Sequence, residues 1–192
     1  ELAVLYCLGY KAIIQIHLND ISGAEESLQL AREFVSRQVL VPPNYISSYL
    51  IARFLLDLYF LENADFANEN SNLSKLSKKA HQSGKKAMKN SEKYAYMRVE
   101  TLRLMGIYYW LTARRKKALK LWSSSVQEAK HFGSKVQLAK TYKEIGKRLF
   151  SETRIKLNGL QAEQYLEKAG VLFEEMGLLR EQEDIDKIFV YR

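Results

Sequence analysis

The residues of this 192-residue chain best suited by type to chemistry stand near its middle, where Tyr108, Tyr109 and Trp110 precede Arg114, Arg115, Lys116 and Lys117. Aromatic faces beside cations hold single-stranded nucleic acid, the bases stacking and the phosphates being neutralised. Adjacent aromatics on a helix point in different directions, however, so at least one of the three must pack internally, and the basic turn reads more simply as a solvated loop. Asp57, Glu62 and Glu100 are the carboxylates an acid–base site would draw on, but nothing in their spacing brings them together. Cys7, the single cysteine, lies among apolar neighbours in LYCLGY and is expected to be a small buried hydrophobe. His17, His81 and His131 are far apart, and none has a second ligand at metal spacing. No catalytic group, cofactor or metal is therefore expected.

The elements that would position these residues are helical. Apolar residues recur at three and four, and only 2 Pro and 9 Gly punctuate the chain, which makes the class all-α. The longest apolar run, from Ile46 to Leu61, is broken by Arg53 and Asp57, so it falls short of a membrane span. A soluble protein of the reducing cytoplasm is expected. The chain opens at Glu1 inside what already reads as a helix, which suggests a piece of something longer.

One stretch, Arg98 to Gly133, reads as a helical hairpin, with Met105-Gly106 and Tyr109 on the first helix and Ala118, Trp122 and Ser125 on the second. Leu8-Gly9 with Ala24, Leu28 and Ala31 repeats the pattern, as does Ile145-Gly146 with Ala162, Leu166 and Ala169. A weaker copy places Ala80, Gly84 and Ala87 on a lysine-heavy helix running from Ser74 to about Asn90. A glycine inside a helix costs about 1 kcal/mol against alanine, and close approach by a neighbouring helix is the compensation expected at these positions. Capping boxes are expected at Ser22 with Glu25 and at Ser134 with Gln137, and Ser71 or Asn72 is expected to cap the lysine-heavy helix after a loop over 64–72. Gly133 and Gly177 read as helix stops. The segment from 178 reads as an acidic amphipathic helix covering the end of the stack.

The net charge of +8 is unevenly spread. Residues 71–160 carry 22 basic and 5 acidic side chains, whereas residues 1–70 carry 4 and 9 and residues 161–192 carry 4 and 8. A basic centre between acidic ends could attract an acidic peptide, nucleic acid or the acidic end of another copy. The lysines at 75, 78, 79, 85, 86 and 89 surround their helix, which favours a solvated face over a shaped phosphate site.

These residues resemble a tetratricopeptide-repeat array. The family's Gly, aromatic, Ala, large residue and Ala are matched by Gly106, Tyr109, Ala118, Trp122 and Ser125, and the resemblance spans nearly the whole chain. Ala24, Ala80, Ala118 and Ala162 are 56, 38 and 44 apart, longer than the family's repeat of about 34 residues. Such irregular units are similar to the C-terminal repeat regions of bacterial multidomain signalling ATPases, adenylate-cyclase-linked proteins and MalT-like regulators. The resemblance implies a TPR-like α-solenoid of about four stacked antiparallel hairpins, over 1–40, 41–93, 94–133 and 134–177, with a capping helix over 178–192. It also implies a scaffold that binds a protein segment and relays a signal to other domains of a longer parent chain, without catalysis of its own. A nucleic-acid-binding repeat using the basic centre is the alternative, and self-association is a further possibility.

In such arrays the side chains three before and one after each glycine face the concave groove. The resemblance thus implies Tyr6 and Tyr10, Arg103 and Ile107, and Lys143 and Lys147 as partner-binding residues. The asparagine that relatives binding chaperone tails place after the glycine is Tyr10, Ile107 and Lys147 here, so their carboxylate clamp is not carried over. Tyr6 and Tyr10 equally suit packing under an upstream repeat.

Overall fold

The structure, a computed structural model, describes residues 2–64, 70–152 and 154–190. Among these residues the chain forms α1 (Leu2–His17), α2 (Ile21–Ser36), α3 (Pro43–Glu62), α4 (Asn70–Lys93), α5 (Arg98–Leu111), α6 (Arg115–His131), α7 (Lys135–Leu149), α8 (Ala162–Glu175) and α9 (Leu179–Val190), with a 3₁₀ turn over Ala95–Met97 before α5. The class is all-α, and no strand occurs among the described residues beyond one isolated bridge between Leu157 and Leu160. No described helix is long and apolar enough to cross a membrane.

Successive helices pack as antiparallel neighbours, α1 on α2, α3 on α4, α5 on α6 and α7 on α8, while the first members of the pairs lean on one another along the row. The glycines show why. A Cβ at Gly106 would stand 2.1 Å from the indole nitrogen of Trp122, and one at Gly146 would stand 2.6 Å from Cγ of Leu166. These helices can approach because the side chain is missing, and the large residue of the second helix fills the gap. Trp122 is wholly buried, and its indole N–H donates to the carbonyl of Arg103 at 3.1 Å. At Gly9 the role is different, since a Cβ would stand 2.3 Å from Oγ of Ser48 on α3, so that glycine sets the approach of α1 to the next hairpin.

The core is two clusters that meet on α3. Ala12, Ile16, Ala24 and Leu28 pack on its Ala52 and Leu56, while Ile51, Phe54, Leu58 and Leu61 face the larger cluster running through to Ile185 of α9. Asp57 lies in this helix too. Its carboxylate pairs with Arg53 at 3.3 Å and with Lys79 of α4 at 3.4 Å, and it is buried rather than turned to water.

Four helix ends share one geometry. After α1, α5, α6 and α8 a residue with positive φ, respectively Asn19, Ala113, Gly133 and Gly177, is followed by an amide that reaches back to a carbonyl of the last turn. The bonds Asp20 to Gln15, Arg114 to Tyr109, Ser134 to Ala129 and Leu178 to Phe173 are 2.8–2.9 Å, the 6→1 closure of a Schellman motif. Alanine at 113 bears the left-handed conformation without glycine's freedom, φ being 57°. Ala113→Gly is expected to stabilise the fold by about 0.5–1 kcal/mol, the left-handed penalty for a Cβ less glycine's added chain entropy. Urea denaturation with an unchanged slope is the check.

Several expected boundaries shift. The cap of α2 is Asp20, which accepts from the amide of Gly23 at 3.0 Å, so the helix starts before the Ser22-Glu25 pair. Ser134 does cap α7 in position, but its side chain makes no capping bond; the main-chain carbonyl of Gln137 accepts from the Thr141 hydroxyl, and its side-chain Oε1 is buried without a partner among the described residues. The reciprocal box is found at Gln161, whose amide donates to Gln164. Helix α4 already includes Asn70 to Asn72, so the expected 64–72 loop is shorter than its composition suggests, and 65–69 lie outside the described residues. Cys7 is exposed. It sits with Val4, Ile14 and Leu18 on the side of α1 turned away from α2 and α3, which no described residue covers.

Candidate functional site

A cavity of about 400 Å³ opens where α5, α7 and α9 converge with the end of α1. Lys140, Lys143 and Lys147 enter it from α7, spaced three and four apart and so on one face of the helix. Arg103 enters from α5, Arg180 from α9 and His17 from the last turn of α1. The acidic members are Glu144, Glu181 and Asp184.

The carboxylates are already engaged. Nζ of Lys143 donates to Glu181 at 2.7 Å and to Asp184 at 3.1 Å, and the Lys143 bond holds Asp184 below the usual carboxylate range although burial pushes the other way. Glu144 is bonded by Nε of Arg148 at 2.6 Å, and Arg148 also reaches Glu62 at the end of α3 at 2.8 Å. Burial raises the Glu144 pKa, but Arg148 and then Lys147 more than offset it and hold the group ionised. The same two carboxylates raise the pKa of Arg148 above an already high value against the cost of burial.

The cations are not all engaged. Lys140 and Arg180 form no ion pair among the described residues. Arg103 is 13% exposed and bonds Glu100 at 3.2 Å through one terminal nitrogen, while its Nε is buried without an acceptor. A buried donor left without an acceptor costs about 1–3 kcal/mol, and more when it is charged. The position of Arg103 is set by the core, because its carbonyl is the acceptor for Trp122. The imidazole of His17 is lowered first by burial and then by Lys140 and Arg103, with Glu100 and Glu181 acting against them.

The groove positions implied by the resemblance divide. Arg103, Lys143 and Lys147 come together in the cavity. Ile107 is 7% exposed and packs in the core, where it offers almost no surface to a partner. Tyr6 and Tyr10 stack edge to face with centroids at 4.8 Å and share a hydroxyl contact at 3.4 Å, outside the cavity. Burial and the neighbouring Tyr6 raise the Tyr10 pKa. Lys140 was legible as part of the α7 stripe, whereas His17 and Arg180 reach the site through the packing of α1 and α9, elements far from α7 or α5 in the chain.

The aromatic and basic group at 108–117 is occupied by its own contacts. His81 stacks on buried Tyr108 at 5.3 Å, and Arg114 and Lys117 cover Tyr109 at 6.0 and 5.4 Å. Trp110 packs against Trp122 and carries Arg115 on its face at 3.9 Å, with Arg115 also bonded to the Trp110 carbonyl and to Glu152 at 3.1 Å. The six lysines of α4 at 75, 78, 79, 85, 86 and 89 are exposed. Asp57, Glu62 and Glu100 each face different cations and do not share a pocket. Among the described residues no cluster of three or more His, Cys, Asp or Glu is placed to hold a metal.

No protein-family model, no curated protein and no solved structure matches this chain. The cavity's chemistry must therefore be read from its own residues, which supply fixed hydrogen-bond donors and positive charge.

Proposed function

We propose that this chain is a tetratricopeptide-like interaction module that binds an acidic segment of a partner protein in the cavity between α5, α7 and α9, and that it does so as part of a larger signalling protein without catalysing a reaction. The observation that carries this reading is the convergence of Arg103 at one cavity with Lys140 and Arg180, which form no ion pair among the described residues. Guanidinium and ammonium groups at one mouth recognise carboxylates by charge and by hydrogen bonds together. The basic centre also suits nucleic acid electrostatically, but the aromatics that would stack bases are covered by the chain's own cations.

Fluorescence anisotropy with a labelled octaglutamate peptide tests this directly. Reversing Arg103, Lys143 and Lys147 to Glu is expected to weaken binding about 100-fold or more, in keeping with the cost of unpaired charge at an interface. Reversing Lys85 and Lys89 on the outer face of α4 is expected to leave it nearly unchanged, since charges beyond about 8 Å are screened at physiological salt. Equal loss from both sets would place binding in the overall field and remove the cavity from the proposal. A labelled single-stranded oligonucleotide held more tightly than the peptide would favour the nucleic-acid alternative.

Proton linkage gives a second test. The His17 pKa is lowered by partial desolvation at the cavity rim, where the ring is still exposed, and by Lys140 of α7 and Arg103 of α5, opposed by Glu100 of α5 and Glu181 of α9. A bound carboxylate shifts that balance toward the charged ring, so binding takes up a proton. Affinity should rise as pH falls from 7.5 to 5.5, a range in which glutamates with a pKa of about 4.3 remain ionised. His17→Gln should flatten the profile, and a slope that survives the substitution would exclude His17 as its source.

A further inference from the structure

The best-matched acidic surface for the cavity is present in the chain itself. Glu181 and Asp184, three residues apart on α9, both bond the same Lys143 ammonium. Apart from these bonds, helix α9 is held by Ile185, by Ile188 at the margin of the core and by Phe189 set edge to face on Phe150 at 5.7 Å. Ile185 is its one almost wholly buried side chain among the described residues, and Leu179 and Phe189 remain exposed. Its departure would release Lys143 and expose the wall carrying Arg103 and Lys140. Three-residue spacing puts two carboxylates on one helical face, so the cavity is matched to a helix more closely than to an extended strand.

We propose that α9 is an internal occupant of the basic cavity, with Glu181 and Asp184 holding the place of a partner's carboxylates, and that the segment which binds is an acidic helix with carboxylates three apart that displaces α9. This rests on the acidic-segment reading and adds the partner's form and its competitor. A tethered helix acts at an effective concentration of about millimolar, so a partner must exceed that competition, and weakening α9 should raise affinity in trans.

The test uses the whole 192-residue chain and a fluorescein-labelled synthetic peptide with the sequence of residues 178–190. Glu181→Gln with Asp184→Asn is expected to bind the peptide at least tenfold more tightly than the unaltered chain. Asp184→Asn alone, which leaves Glu181 on Lys143, should give a smaller gain in the same direction. Lys143→Gln added to the double variant should remove the gain. A scrambled peptide of the same composition, its carboxylates no longer three apart, should bind more weakly than the native order. Equal affinity of the peptide for the unaltered chain and both variants, with octaglutamate still captured, would overturn the competition while leaving the acidic groove standing. Equal binding of native and scrambled peptides would overturn the helical spacing. Capture of neither peptide by any form would overturn the groove and the competition together.

Discussion

Trp122→Ala is expected to cost about 3–5 kcal/mol in urea denaturation, the range for deleting a large aromatic from a packed core. Trp122 has no exposed surface, stacks against Trp110 with ring centroids at 5.4 Å, and fills the space left by the missing side chain of Gly106. It also satisfies the carbonyl of Arg103. Gly106→Ala attacks the same contact from the other side, because the new methyl would stand 2.1 Å from a rigid indole that has no free end to swing away. Overpacking of that kind costs about 1–3 kcal/mol, more than the roughly 1 kcal/mol alanine returns in helix propensity. The two changes should be strongly non-additive. In the Trp122→Ala background the methyl enters a cavity, so Gly106→Ala is expected to become neutral or stabilising. Additive costs would mean that Gly106 serves something other than the approach of α6. Either single change should also weaken octaglutamate binding, since both release the backbone that aims Arg103.

The same contact explains what the sequence could and could not announce. Gly106 with Trp122 and Gly146 with Leu166 are local in sequence and tied by shape, so the pairing of these helices was legible from spacing alone. Gly133 and Gly177 announced their turns because glycine is the usual residue with positive φ. Asn19 and Ala113 adopt the same conformation without that signal. Composition misled at 64–72, where asparagines that suit a loop lie partly within α4, and at Cys7, whose apolar neighbours occur on an exposed face of α1. Of the site, the α7 lysines and Arg103 follow from helical periodicity, whereas the joining of His17 to Lys140, or of α9 to Lys143, depends on tertiary packing between separate helices. Ile107 shows the limit of carrying a position over from a resemblance. It stands one place after the glycine, yet the rotation of α5 turns it into the core.

Arg148→Ala is expected to destabilise the chain by about 2–4 kcal/mol near neutral pH, somewhat below the 3–5 kcal/mol of breaking a fully buried pair. Glu144, 14% exposed, would keep the burial penalty and lose its closest counter-charge, while Glu62 at 36% exposure can rehydrate. The pH dependence separates this from a plain packing loss. In the intact chain the Glu144 pKa lies below its ordinary 4.5, so its contribution is complete above that value and is lost as pH falls through the lowered folded pKa. Without Arg148, burial dominates and the folded pKa moves up, so the variant is penalised most at high pH and recovers on acidification. The stability gap between the two forms should therefore narrow from pH 7 to pH 4, and Glu144→Gln in the Arg148→Ala background should recover part of the loss at pH 7. Because Arg148 ties α7 to the end of α3, its loss should also loosen the Lys140, Lys143 and Lys147 stripe and weaken octaglutamate binding, although Arg148 does not line the cavity. A gap that stays constant with pH would show that the guanidinium stabilises through its stem rather than its charge, and α7 would then be aimed by packing alone.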